Sequence, residues 1–174
     1  MDIKGRNIAI IGGGESGVGA ALLGKKMGAN VFVSDAGALK EQYRKELLDA
    51  NIDFEESGHD FERIVASNYV IKSPGIPAQV PIFKELAHKK VPVLSEIEFA
   101  SNFTNAQKVC ITGSNGKTTT TMLVYHIFKN AGLNVAFAGN IGKSLARQVS
   151  LSEPDYFIIE LSSFQLDDLQ TFRA

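Results

Sequence analysis

Short apolar runs alternate with longer stretches in which apolar residues recur at helical spacing, almost from end to end of the chain. The runs Asn7–Ile11, Asn30–Ser34, Asp53–Glu56, Tyr69–Lys72, Val91–Leu94, Lys108–Thr112, Asn134–Ala138 and Asp155–Glu160 predict strands. The stretches Gly17–Met27, Leu39–Ala50, Ile82–Lys89, Lys117–Ala131 and Ile141–Val149 predict helices, and Met122, Leu123, Ile127 and Phe128 share one side of the fourth. Gly28 and Gly132 stand where helices end in left-handed residues. Strands separated by helices of this length need crossover connections, so the expected class is α/β with parallel sheets. The polar stretch Ser101–Gln107 breaks the alternation and predicts a linker, with a boundary between two units near residues 95–106.

Composition narrows the class. The chain has 174 residues, 44% of them hydrophobic, and a formal net charge of −1 with both signs interspersed. This is a folding chain with no basic stripe, so neither a nucleic-acid partner nor an anionic membrane surface is expected. No apolar run approaches the roughly 20 residues that span a bilayer, and Met1–Arg6 lacks the apolar core of a signal peptide. The single cysteine, Cys110, excludes an internal disulfide and reads as a small core residue. A cytoplasmic, monomeric enzyme is the expectation.

Two glycine-bearing turns carry the chemistry. Thr112-Gly113-Ser114-Asn115-Gly116-Lys117-Thr118 follows an apolar strand and opens a helix. Main-chain N–H groups of such a turn, with the positive end of the helix, cradle phosphate. Lys117 can reach terminal phosphates, and the Thr118 hydroxyl can ligate Mg²⁺. The loop is shorter than the standard Gly-x-x-x-x-Gly-Lys-Thr, because position 111 is Ile111. Earlier, Gly12-Gly13-Gly14-Glu15-Ser16-Gly17 fits Gly-x-Gly-x-x-Gly directly after a strand, and Asp35 closes the next strand, where an acid often bonds a ribose hydroxyl. Those two features alone also fit a nicotinamide-dependent dehydrogenase or a noncatalytic nucleotide-binding module. His59, His88 and His126 have no convergent partner in the sequence and read as structural or solvated.

Three further segments follow strands: Ser73-Pro74-Gly75-Ile76, Gly139-Asn140-Ile141-Gly142, and Glu160-Leu161-Ser162-Ser163-Phe164-Gln165-Leu166. With the phosphate loop, their set and order resembles the Mur ligases of bacterial peptidoglycan synthesis, over essentially the whole chain. Within that family the resemblance is strongest to the branch that adds D-glutamate to UDP-N-acetylmuramoyl-L-alanine. It implies a Rossmann-like UDP-binding domain with a parallel sheet over residues 1–95, then the first part of a P-loop ATPase-type α/β domain over 96–174. It implies ATP and Mg²⁺ as cofactors and an acyl-phosphate intermediate. By position, Gly113, Ser114, Asn115, Gly116, Lys117, Thr118 and Thr119 correspond to ATP contacts, with Lys117 and Glu160 catalytic. Thr118 and Glu160 correspond to metal contacts, and Gly14, Glu15, Ser16, Asp35, Gly75, Asn140 and Ser162 to contacts of the UDP substrate. Ser162 equally suits the cap of a following helix. Ala36-Gly37 departs from relatives that offer a hydroxyl and an arginine there, and Glu15 sets a negative charge near a diphosphate. Relatives extend well past the position of Ala174, with a second metal-binding histidine, a carbamylated lysine and an amino-acid-binding domain, so negligible turnover by this polypeptide alone is expected. Other Mur ligases and folylpolyglutamate synthases share the loop and remain alternatives.

Overall fold

A computed structural model describes residues 1–77 and 79–174. Five parallel strands come first: β1 (Asn7–Ile11), β2 (Asn30–Ser34), β3 (Asp53–Glu55), β4 (Tyr69–Lys72) and β5 (Val93–Ser95). They are joined by α1 (Glu15–Lys26), α2 (Glu41–Asp49), α3 (Phe61–Val65) and α4 (Pro81–His88). Then follow α5 (Glu96–Ser101), β6 (Gln107–Ile111), α6 (Lys117–Asn130), β7 (Val135–Gly139), α7 (Leu145–Leu151), β8 (Tyr156–Glu160) and α8 (Ser163–Asp167). The first sheet runs β3-β2-β1-β4-β5 and the second β6-β8-β7, all parallel.

Central strands of a parallel sheet are apolar on both faces because crossovers cover both. In β1, Ile8 and Ile10 enter one core while Ala9 and Ile11 enter the other. The larger core runs on through Phe99, Ala138, Leu145, Phe157 and Ile159, and so joins the two sheets. The contact between them is built on α1, whose buried residues are mostly small: Gly17, Gly19, Ala20, Ala21 and Gly24, with Val18 and Leu23. A Cβ on Gly19 would lie 2.2 Å from Ser144 Oγ and 3.0 Å from the Arg147 nitrogen, so α7 packs onto α1 at glycine distance.

All eight predicted strands are present, shifted by at most two residues at their ends. Three elements went unanticipated or were misplaced. α3 is a single short helix started by Asp60, whose side chain accepts from the Arg63 nitrogen. α5 occupies the first half of the expected boundary region and ends where the expected linker begins, Ser95 capping it by accepting from the Glu98 nitrogen. α7 begins at Leu145 rather than Ile141, since Gly142 is left-handed (φ 69°) and Ser144 is the cap. The apolar side of α6 does not all face the sheet: Leu123 and Ile127 are 58% and 57% exposed. Cys110 is half-buried, and burial pushes its thiol up to about 11, against a smaller lowering by Lys108, so it stays protonated at neutral pH. Among the described residues no helix is long and apolar enough to cross a membrane.

Candidate active site

In an open parallel sheet, ligands meet the loops at the carboxyl ends of the strands, above all where strand order reverses. In the first sheet that point lies between β1 and β4. The turn after β1 brings Gly12–Gly17 there, and the turn after β4 brings Ser73–Ile76; Ser73 Oγ donates to the Gly12 carbonyl at 3.2 Å. The glycines divide by role. Gly17 is required by packing, because a Cβ there would sit 1.8 Å from the Gly12 oxygen. Added at Gly14 or Gly75, a Cβ would meet nothing within 4 Å, so nothing in the protein itself crowds the backbone at either. Gly14 caps α1 without any side-chain hydrogen bond, leaving first-turn N–H groups, Ser16 among them, for an anion.

Asp35 braces this turn: Oδ2 accepts from the Gly13 nitrogen at 2.6 Å and Oδ1 from the Gly37 nitrogen at 2.8 Å. Its carboxylate retains acceptor capacity for a hydroxyl. A cleft of about 360 Å³ lies beside it, lined by Gly13, Gly14, Asp35, Leu39 and Tyr43 among others. Glu15 lines the same cleft, and its carboxylate turns to α7, accepting from the Ser144 nitrogen (3.0 Å) and from Arg147 Nε (2.7 Å). The α7 N-terminus and a guanidinium attract its charge.

In the second sheet three adjacent strands aim three loops at one place. β6 leads into Thr112–Gly116, and left-handed Gly116 (φ 75°) caps α6 with no side-chain hydrogen bond. The loop from Thr112 to Gly116, with Thr118 and Thr119, is exposed. Lys117 Nζ donates to the Gly113 carbonyl at 2.7 Å, curled over the loop it would share with a phosphate. Neighbouring Thr118 donates through Oγ1 to Glu160 Oε2 at 2.8 Å. Asn140, at the end of β7, donates through Nδ2 to Glu160 Oε1 at 3.0 Å. Glu160 is only 2% exposed, and its two oxygens are thus oriented by the phosphate loop on one side and the β7 loop on the other. Among the described residues no cluster of three or more His, Cys, Asp or Glu could hold a metal unaided. A hydroxyl and one carboxylate instead suit a hard cation that takes its remaining ligands from water and phosphate.

Ser162 is placed as a cap. It starts α8 in a capping box, its Oγ accepting from the Gln165 nitrogen (3.3 Å) while Gln165 Oε1 accepts from the Ser162 nitrogen (2.9 Å). Ser162→Ala is therefore expected to cost about 1 kcal/mol of stability, read as a lower urea midpoint. An unchanged midpoint contradicts the capping role.

Charged residues that sequence reading passed over join the two sheets. Arg147 pairs with Glu15 and with Glu46 of α2. Glu96 is fully buried and accepts from the Ala146 nitrogen at 2.5 Å; burial, helped by nearby Glu15, pushes its carboxyl up to about 7 against the opposing effect of that bond. Glu98 accepts from the nitrogens of Gln170, Thr171 and Phe172 and from the Thr171 hydroxyl. Burial alone would raise its carboxyl, but these donors hold it below the ordinary range. Acids spaced Glu-x-Glu at the start of a short helix were the only sequence signal, and they read equally well as solvated.

Two family models match this chain: the MurD N-terminal domain over residues 7–81 and the Mur ligase middle domain over residues 111–174. The chain belongs to the Mur ligase family. Its similarity extends to individual UDP-N-acetylmuramoylalanine–D-glutamate ligases. That of Bacteroides thetaiotaomicron is 58% identical over 170 residues, covering 97% of this chain and 38% of the relative. That of Porphyromonas gingivalis W83 is 52% identical over 174 residues, covering 100% of this chain and 39% of the relative. The chain thus spans about 38% of the length of the curated relatives it matches. Among solved structures, a murein peptide ligase from Psychrobacter arcticus superposes with a TM-score of 0.62 at 23% identity, over 91% of this chain and 38% of that one. UDP-N-acetylmuramate–alanine ligase MurC of Thermotoga maritima gives 0.56 at 20% identity, over 88% and 37%. These two speak to the fold.

Proposed function

We propose that this chain forms the nucleotide-sugar half and the beginning of the ATPase half of a cytoplasmic ligase that joins D-glutamate to UDP-N-acetylmuramoyl-L-alanine. Residues 1–95 take the UDP substrate and residues 96–174 begin the ATP-binding unit. The observation that carries this reading is the Thr118–Glu160–Asn140 constellation, which ties a phosphate loop to a buried carboxylate across three parallel strands. The relatives' names supply the substrates.

The chemistry asked of the site is activation of a carboxylate by phosphoryl transfer, followed by attack of the D-glutamate amine on the acyl phosphate. Two anions must be brought together, so positioning and charge neutralisation dominate. The free N–H groups of Gly113–Thr119 would hold the phosphates of ATP, and Lys117, now on the Gly113 carbonyl, would supply positive charge to them. Thr118 and Glu160 are the residues that would hold Mg²⁺, whose charge offsets that of the phosphates. Asn140, braced by Glu160, faces the reacting end of the muramoyl substrate. In the first unit, the Gly14 turn and the Gly75 turn hold the diphosphate and sugar, with Asp35 beside the nucleoside.

Thermal stabilisation tests this reading. UDP-N-acetylmuramoyl-L-alanine at 100 times its Kd is expected to stabilise the chain by about 2.7 kcal/mol, with UDP acting more weakly and NADH not at all. A shift with NADH and none with either UDP compound would turn the glycine loop over to a dehydrogenase.

A further inference from the structure

Lys72 ends β4 and is 7% exposed, an unusual place for an ammonium. Its Nζ serves two masters. It donates to the Ile76 carbonyl at 2.9 Å, which closes the Ser73–Ile76 turn on itself. It also lies 2.6 Å from Asp168 Oδ2, just beyond α8, and so reaches from the first sheet to the second unit.

Asp168 is a fixed post. The three residues Gln170–Phe172 are fastened by their nitrogens to Glu98, which holds this stretch of backbone against α5. The Lys72–Asp168 pair forms part of the lining of a cleft of about 370 Å³, with Pro74, Gly75 and Ile76 on one wall and Phe164 on the other. Phe164 is 70% exposed there, an aromatic face presented to whatever enters. The Asp35 cleft shares no lining residue with this one, and Asn140 and Glu160 belong to the second unit. The cleft thus opens beside Gly75, one of the proposed contacts of the nucleotide-sugar substrate, and is bounded on the second unit's side by α8.

We propose that Lys72 is a positioning residue for the sugar portion of the nucleotide-sugar substrate, acting as a latch with Asp168 that sets the spacing between the Gly75 turn and α8. The inference rests on the function proposed above. With Lys72 replaced, the Ser73–Ile76 turn keeps only its Ile76-to-Ser73 backbone bond and loses its tie to α8, while the contacts of Asp35 are unchanged. Sugar recognition then weakens and nucleotide recognition does not.

The test is calorimetric titration of the chain with UDP-N-acetylmuramoyl-L-alanine and with UDP, alongside melting temperatures. Lys72→Met and Asp168→Asn are each expected to weaken the muramoyl compound about tenfold, with UDP within about twofold of the unmutated chain. Lys72→Arg, which can span both acceptors, is expected to restore most of the loss, and the double variant to be no worse than either single one. Asp168→Asn keeps side-chain shape at a partly exposed position and so guards against loss of folding at Lys72. Variants that bind both ligands like the unmutated chain, or that lose both equally, overturn the latch. If the unmutated chain binds neither UDP compound, the reading of the site itself fails, and the latch with it.

Discussion

Lys117→Met is expected to lower affinity for Mg·ATP by about 100-fold, measured by calorimetry against the unmutated chain. The residue begins α6 directly after a left-handed glycine cap, and its ammonium already rests on the rim of the loop. Charge-assisted hydrogen bonds are worth about 1.5–3 kcal/mol each, and a terminal phosphate offers this ammonium one or two of them. Methionine keeps the stem and removes the charge, so the fold is retained while the anion loses its counter-charge. Glu160→Gln should behave differently. It keeps an oxygen for Thr118 and a similar shape, but the magnesium-dependent share of the affinity should fall while metal-free nucleotide binds as before. Equal loss with and without magnesium would assign Glu160 to holding the loop rather than the ion.

The second large effect is on stability. Glu96 has its carboxyl raised from an ordinary 4.5 to about 7, first by burial and then by the charge of Glu15, against the lowering effect of the Ala146 nitrogen. Below pH 4.5 the folded and unfolded chains both carry the proton, and the buried neutral acid contributes its full stability. Between 4.5 and about 7 the unfolded chain releases the proton while the folded chain keeps it, so stability falls as pH rises. A shift of that size corresponds to roughly 3 kcal/mol, lost by the time pH passes the folded value. Urea midpoints measured from pH 5 to 8 should therefore decline in the unmutated chain and flatten in Glu96→Gln. Parallel declines in both proteins would place the titration elsewhere.

The strands were legible because each is a short apolar run bounded by turn residues, a signal that survives any tertiary context. The phosphate loop and the Gly12–Gly17 turn were legible for a similar reason: glycine spacing reports backbone requirements directly. What sequence did not reveal depends on partners far away along the chain. Glu15 sits inside a nucleotide motif, yet its carboxylate is spent on Arg147, 132 positions on. Nothing in the sequence singled out Glu96 and Glu98, which accept from main-chain donors at Ala146 and at residues 170–172. Lys72 read as the polar end of a strand until the fold brought Asp168 to it. Local pattern carries backbone geometry, whereas the pairing of a buried charge is written only in the tertiary arrangement.

The fastening of α7 has a consequence for substrate choice. Its first turn is gripped from the first unit by Glu15 on the Ser144 nitrogen and from α5 by Glu96 on the Ala146 nitrogen, and Gly19 leaves no slack beneath it. The helix starts at Gly14 and Gly116 belong to units joined through α7, like the jaws of a calliper. Under the proposed function, a molecule anchored by its diphosphate at the first jaw would be measured against the second. One that is too short would never bring its acid group to the phosphoryl donor, however tightly its uridine end were held.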